Sequence, residues 1–221
     1  HPRMLSTLRE VSKRGGPIVA VNPLRERGLE RFTSPQHPAE MLTNTATPIA
    51  QTYYQVKIGG DIALLKGMMK WLLDADADDL AAGGKGVLDH AFIAGHTEGL
   101  EALREDLANT TWEHIVEHAG LTREDIAAAA QLYANAERVI LCYGMGMTQH
   151  RRGTQNVQQM ANLMLLRGNV GRRGAGIAPI RGHSNVQGDR TVGITEKPTP
   201  ALADAIERAF GFRFPVTHGH D

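Results

Sequence analysis

The densest group of polar side chains lies in GIAPIRGHSNVQGD, residues 176–189. Arg181, His183, Ser184, Asn185 and Gln187 fall close together in a stretch closed by Gly188. A guanidinium presents a planar fork that matches a small carboxylate. A row of amides suits the edges of a polar heterocycle. The same residue types also build a hydrogen-bonded structural loop that holds no ligand.

Three further segments follow short apolar runs. In VNPLRER, residues 21–27, Asn22 is placed to meet a nucleotide sugar or base, and Arg25 to grip a phosphate. Asn-Pro is also ordinary turn chemistry. In IGGDIALL, residues 58–65, Gly59 and Gly60 let backbone approach a phosphate or base, and a helix start favours anions. Asp61 could accept two hydrogen bonds from the edge of guanine, although the segment reads equally well as a capped helix start. In YGMGMTQH, residues 143–150, Gly144 and Gly146 form a GxG turn. A nicotinamide fingerprint needs a third glycine three residues on and an acid about twenty residues on. Gln149 occupies the third-glycine place and LMLLRGN supplies no acid, so a nicotinamide fits poorly, whereas close approach to another cofactor stays open.

The elements that would position these residues follow from periodicity. Residues 3–14 predict an amphipathic helix that Gly15-Gly16-Pro17 ends, and PIVAV, 17–21, a buried strand. Residues 33–50, interrupted by Pro35, Pro38 and Pro48, predict an irregular loop. YYQVKI, 53–58, is the next expected strand, and residues 61–74 a helix with Asp61 as N-cap or first-turn residue. The acidic, glycine-bearing stretch 74–86 predicts a surface loop. Residues 88–135 are helical in short pieces, with Thr122–Asp125 in capping-box form. VILCYG, 139–144, is a third expected buried strand, and residues 154–167 an apolar helix. Residues 168–193 predict irregular chain and 199–210 a last helix. Strands separated by helices imply an α/β domain, a largely parallel sheet flanked by helices, with ligands at the carboxyl ends of the strands.

Composition narrows the class. The 24 basic residues balance 24 acidic ones over 221 residues, so charge gives no reason to expect a nucleic acid or an anionic membrane as partner. No apolar run approaches the roughly 20 residues that cross a bilayer. The single cysteine, Cys142, cannot hold an iron–sulfur cluster or form an internal disulfide, and it points to a reducing, cytoplasmic compartment. Cys142 is expected as an inert core thiol, Trp71, Trp112, Met160 and Met164 as packing residues, and His114 with His118 as a solvated helix face. His1-Pro2, running directly into a helical pattern, reads as the interior of a longer polypeptide.

The ordered set IVAVNP, GGDIALLKGMM, ERVILCYGMGMTQH, NLMLLRGNVGRRGAGIAPIRG and HSNVQGDRTVGI resembles the molybdopterin-guanine-dinucleotide oxidoreductases, and within them the formate dehydrogenase alpha-subunit-like proteins with an acid-resistance-related subgroup. The likeness runs from His1 to about Pro198. It implies an internal fragment of a formate dehydrogenase/DMSO reductase fold: residues 1–182 as a nucleotide-binding α/β domain lacking its upstream part, and 183–221 as the start of a return to a neighbouring domain. It implies a bis-molybdopterin guanine dinucleotide with molybdenum, shared with domains outside this chain, and an iron–sulfur cluster only in a preceding region. Cofactor contacts fall to Asn22, Arg25, Gly60, Asp61, Gly144, Gly146, Gln149, Asn185, Gln187 and Gly188, and catalytic roles to Arg181 beside the metal and His183 as a proton carrier. The molybdenum ligand would lie elsewhere. Implied partners are the other domains of the polypeptide, a small-molecule substrate and an electron-transfer protein. Two departures stand out: formate dehydrogenases usually carry aspartate in place of Asn22, and glutamine and asparagine in place of His183 and Ser184. The resemblance therefore implies formate oxidation for the whole protein, or another substrate on the same chemistry. For this chain by itself it leaves a non-catalytic lobe.

Overall fold

The computed structural model describes residues 2–180, 186–195 and 198–212. The chain packs as two units, residues 1–180 and 181–221. The first opens with α1 (Pro2–Lys13), then β1 (Val19–Val21), a corner of α2 (Arg27–Glu30), β2 (Arg31–Phe32), α3 (Pro38–Thr43) and β3 (Thr47–Pro48), and β4 (Thr52–Tyr54). The long α4 (Asp61–Ala81) follows, then α5 (His90–His96), α6 (Leu100–Asn109), α7 (Trp112–Ala119) and α8 (Arg123–Asn135). The unit ends with β5 (Ile140–Tyr143), α9 (Met145–Thr148), α10 (Gly153–Leu166) and β6 (Gly176–Pro179). β1 pairs parallel with β4, and β5 parallel with β6, each as a two-stranded sheet; β2 and β3 pair antiparallel. The second unit holds α11 (Val186–Thr191) and α12 (Pro200–Phe210). Thr199 caps α12 by accepting from Leu202 N, and Gly211 closes it at φ 70°.

α4 is apolar on two sides, and each side has its own cluster. Leu65, Met69 and Leu72 pack with Met160, Leu163, Met164 and Leu166 of α10 and with Tyr133 of α8. Ala63 and Leu64 pack with Ile115 and Ala119 of α7, Ile126 and Ala129 of α8, and Tyr54 and Val56 beside β4. Gly67 permits the closest approach: a Cβ there would lie 2.8 Å from the Cγ2 methyls of both Ile115 and Ile126. Those methyls sit on branched, fully buried side chains and cannot swing aside. Gly67→Val is expected to destabilise the domain by roughly 1–3 kcal/mol through overpacking, read as a lower denaturant midpoint at unchanged slope.

Several expectations need correction. Residues 74–81 are not loop: α4 runs on to Ala81. Alanine favours the helix, and the acids near its end bind the chain that follows. Buried Asp76 Oδ1 accepts from Val87 N (2.8 Å), Leu88 N (3.0 Å) and the His90 ring, and Asp79 accepts from Gly86 N at 2.8 Å. Of the two places expected for Asp61, N-cap or first turn, it takes the first turn of α4. Gly60 is the N-cap, without a side-chain cap bond, and Asp61 begins the first turn. The strand expected over 53–58 is only Thr52–Tyr54, and part of the irregular stretch 168–193 forms β6 and α11. The span 33–50 contains α3 and β3. The strands are also less buried than expected: Val19, Val21 and Ile140 are exposed, and so is Cys142, because alternate side chains of these narrow sheets point away from the helical cores. The Thr122–Asp125 capping box forms as expected, with bonds of 3.1 and 3.4 Å.

The α1–α3 corner is tied by one carboxylate. Glu40 accepts from the Arg9 guanidinium, from Ser34 N (3.0 Å) and from Lys13 (3.4 Å). These partners, led by Arg9, hold its carboxyl down at about 2, from 4.5. A lowered folded value stabilises above 4.5, and that stability fades as pH falls from there through about 2. Between those limits this corner is expected to loosen, with faster amide exchange over residues 34–44. Glu40→Gln should abolish that pH dependence, and persistence of the profile in the variant would refute the assignment.

Candidate functional site

The loops at the carboxyl ends of the parallel strands come in two pairs. In the first, the chain after β1 lies beside the chain after β4, with Asn22 N donating to Tyr54 O at 3.1 Å. The Asn22 side chain donates to Leu24 O at 2.7 Å, so its amide nitrogen shapes its own turn. Tyr53 and Gln55 secure the same turn: the Tyr53 hydroxyl donates to Leu24 O and accepts from Glu26 N, and Gln55 donates to Pro23 O. Arg25 is exposed, donates to Glu30 at 2.7 Å and lies over the Tyr53 ring at 5.1 Å. One edge of its guanidinium is thereby held in a fixed direction.

The next turn is Lys57–Asp61. Gly59 has φ +78°, a conformation that glycine adopts without strain. Gly60 is required by protein packing: a Cβ there would lie 2.5 Å from His118 O and 3.1 Å from Ala119 Cα. The end of α7 thus braces the head of α4, helped by Lys57 N to Ala119 O (2.8 Å) and Lys57 Nζ to Glu117 O (2.7 Å). Asp61 is half-buried at that helix head. Desolvation pushes its carboxyl up, partly opposed by its own backbone N–H and by the nearby His150. No hydrogen bond joins it to another side chain among the described residues.

In the second pair, Ile180 N donates to Tyr143 O at 2.7 Å, placing the end of β6 beside Gly144. Gly144 caps the short α9, and Gln149 closes it by donating its N–H to Met145 O at 2.8 Å. Among the described residues, a Cβ at Gly146 would meet nothing within 4 Å, and one at Gly144 only Ile180 O at 4.0 Å. Unlike Gly60, these two glycines are not closed by any of the described residues.

Arg181, His183 and Asn185, with Ser184, lie outside the described residues. Gln187 and Gly188 fall on α11, and a Cβ at Gly188 would meet nothing within 4 Å. Sequence reasoning passed over Asn156, which is fully buried and bonded to the 144–150 loop. Its signal was a polar residue on the stripe continued by Met160, Leu163 and Met164. The motif LRGN also proves to be scaffold. Asn169 donates to Tyr133 Oη and accepts from Val139 N, while Arg167 donates to Val87 O, Ala134 O and Ala136 O. Burial pushes the Tyr133 phenol up to about 12, so it stays a donor, to Leu163 O.

Glycine backbone that no described residue covers at a strand end, and a half-buried carboxylate without a side-chain hydrogen bond among the described residues, offer polar groups that fit a polar heterocycle. The chain belongs to the molybdopterin oxidoreductase family, which residues 41–209 match. It is 56% identical over 220 residues to Protein YdeP of Escherichia coli strain K12, covering 100% of this chain and 29% of that protein. It is 34% identical over 178 residues to Formate dehydrogenase H of the same strain, covering 77% of this chain and 24% of the relative. The chain therefore spans less than a third of the length of these relatives. Among solved structures it is similar to the acetylene hydratase of Pelobacter acetylenicus, with a TM-score of 0.60 at 18% identity over 77% of this chain and 20% of that one. That likeness shows the shared fold. No helix among the described residues is long and apolar enough to cross a membrane.

Proposed function

We propose that this chain is the nucleotide-binding α/β domain of a molybdenum oxidoreductase that holds a bis-molybdopterin guanine dinucleotide and oxidises a small anion, formate foremost. Family membership supports the cofactor class. The observation that carries the guanine reading is Asp61: a half-buried carboxylate in the first turn of α4, without a side-chain hydrogen bond among the described residues, whose charge N–H donors of a ligand would favour. Guanine offers its ring N–H and its exocyclic amine side by side. Asn22 would face the ribose, Arg25 a phosphate, and the bare backbone at Gly144 and Gly146, with Gln149, the pterin. Asn185, Gln187 and Gly188 are proposed as further cofactor contacts. When bound, molybdenum supplies the two-electron chemistry, and the protein supplies position and electrostatics. Formate would lose two electrons and a proton and leave as carbon dioxide, with Arg181 holding its carboxylate and His183 carrying the proton. The electrons would pass to an electron-transfer partner, through an iron–sulfur cluster outside this chain.

A second reading keeps the cofactor and changes the substrate. His183-Ser184 stands where formate dehydrogenases carry glutamine and asparagine, close in sequence to Arg181. We place the whole protein in the cytoplasm, with residues 1–182 as the nucleotide domain and 183–221 returning to a neighbouring one. Purified full-length protein tests both readings. It is expected to carry molybdenum, to release guanosine monophosphate on acid hydrolysis, and to reduce an artificial dye with formate. Protein without molybdenum or guanine nucleotide after expression with adequate molybdate would sink the proposal. Full cofactor without formate turnover would select the second reading.

A further inference from the structure

The loop Gly144–His150 carries two glycines that no described side chain covers, while its Met147 packs against the helical core. Its fixed points come from α10. Asn156, with no exposed surface, donates from Nδ2 to Met147 O at 2.8 Å, and the same nitrogen meets Nε2 of His150. The other ring nitrogen, Nδ1, faces Arg152 N at 3.2 Å. A neutral imidazole has a single acceptor nitrogen, so the ring is held between two competing donors. The Asn156 amide oxygen has no partner among the described residues although it is buried. Burying an unsatisfied amide oxygen costs free energy. An apolar residue of similar size would fill this place on the Met160–Leu163–Met164 stripe without that cost, so packing alone does not call for asparagine. What the amide adds is its grip on the loop.

We infer that Asn156 is a positioning residue for the cofactor: it sets the backbone path of residues 144–150 through its bonds to Met147 O and the His150 ring. The inference rests on the cofactor reading above and goes beyond it, since Asn156 is buried behind the loop and acts through Met147 and His150.

The test uses the full-length protein, its Asn156→Leu and Asn156→Ser variants, and Met164→Ala as a destabilising control on the same helix. Met164 is fully buried on α10 and belongs to the helical core. Two quantities are read: guanosine monophosphate released per polypeptide, and the rate at which diethyl pyrocarbonate modifies His150 in cofactor-stripped protein, followed on its tryptic peptide by mass spectrometry. Asn156→Leu is expected to lose on the order of tenfold in retained nucleotide, as for one lost hydrogen bond to a buried group. Its His150, freed from the amide, should react several-fold faster. Asn156→Ser, which keeps a donor, should fall between, and it serves if the leucine variant does not accumulate. Met164→Ala should lower stability while keeping the parent values of both quantities. The inference is overturned if the Asn156 variants keep parental nucleotide and His150 reactivity, or if Met164→Ala shifts both as far as they do. A parent protein that releases no guanosine monophosphate would defeat the cofactor reading instead. His150 reactivity would then decide alone whether Asn156 holds the loop.

Discussion

Asp61→Asn is expected to strip the intact protein of its guanine nucleotide during purification. Asparagine keeps one carbonyl oxygen for guanine's two donors and turns an NH2 group against the other. Breaking one side of a desolvated, charge-assisted pair costs about 2–5 kcal/mol, at least roughly thirtyfold in affinity. The effect has a pH signature. Desolvation raises the Asp61 carboxyl above its ordinary value, so the folded protein holds that proton more tightly than the unfolded chain, and the stability this lends is lost as pH rises through the folded value. Guanine's donors favour the carboxylate, so binding releases a proton and affinity climbs across the carboxyl titration. The variant should show neither the affinity nor the climb. Full molybdenum and nucleotide content in Asp61→Asn would remove guanine from this position.

The second large effect separates chemistry from retention. Arg181 directly follows Ile180, whose N–H is fixed on Tyr143 O beside the open Gly144. If Arg181 holds the substrate carboxylate, lysine keeps its charge and loses the planar fork. Arg181→Lys is then expected to keep molybdenum and lose turnover by about 2–4 kcal/mol in the transition state, tens- to several-hundred-fold. Arg181→Ala should be slower still. Parental turnover with full cofactor in both variants would refute the role. Loss of cofactor in both would make Arg181 a pterin contact and leave the substrate without its proposed anchor.

The legible parts of this protein were those in which local pattern and tertiary demand agree. The amphipathic α1, the Thr122 box and the apolar stripe of α10 could be read because capping and periodicity are local physics. β6 was hidden because GIAPI gains its identity only by pairing with β5 across α10. The acidic end of α4 looked like a loop because composition does not say that Asp76 faces backbone N–H groups ten and more residues ahead. The glycines divide in the same way. Gly60 and Gly146 look alike in sequence, yet one is closed by His118 O and the other is bare. Only packing tells a glycine needed by the protein from one left free for a ligand.

The two-sided packing of α4 has a consequence for how the domain comes apart. Its Leu65 side and its Leu64 side lie in different clusters, yet they are successive residues of one rod. Neither cluster can open while the helix keeps its place in the other, so the two are expected to melt as one cooperative unit. Asp61 sits at the tip of that rod, and the His150 loop hangs from α10, which packs along it. The Asp61 and His150 side of the site thus inherits the resistance of the whole unit to unfolding.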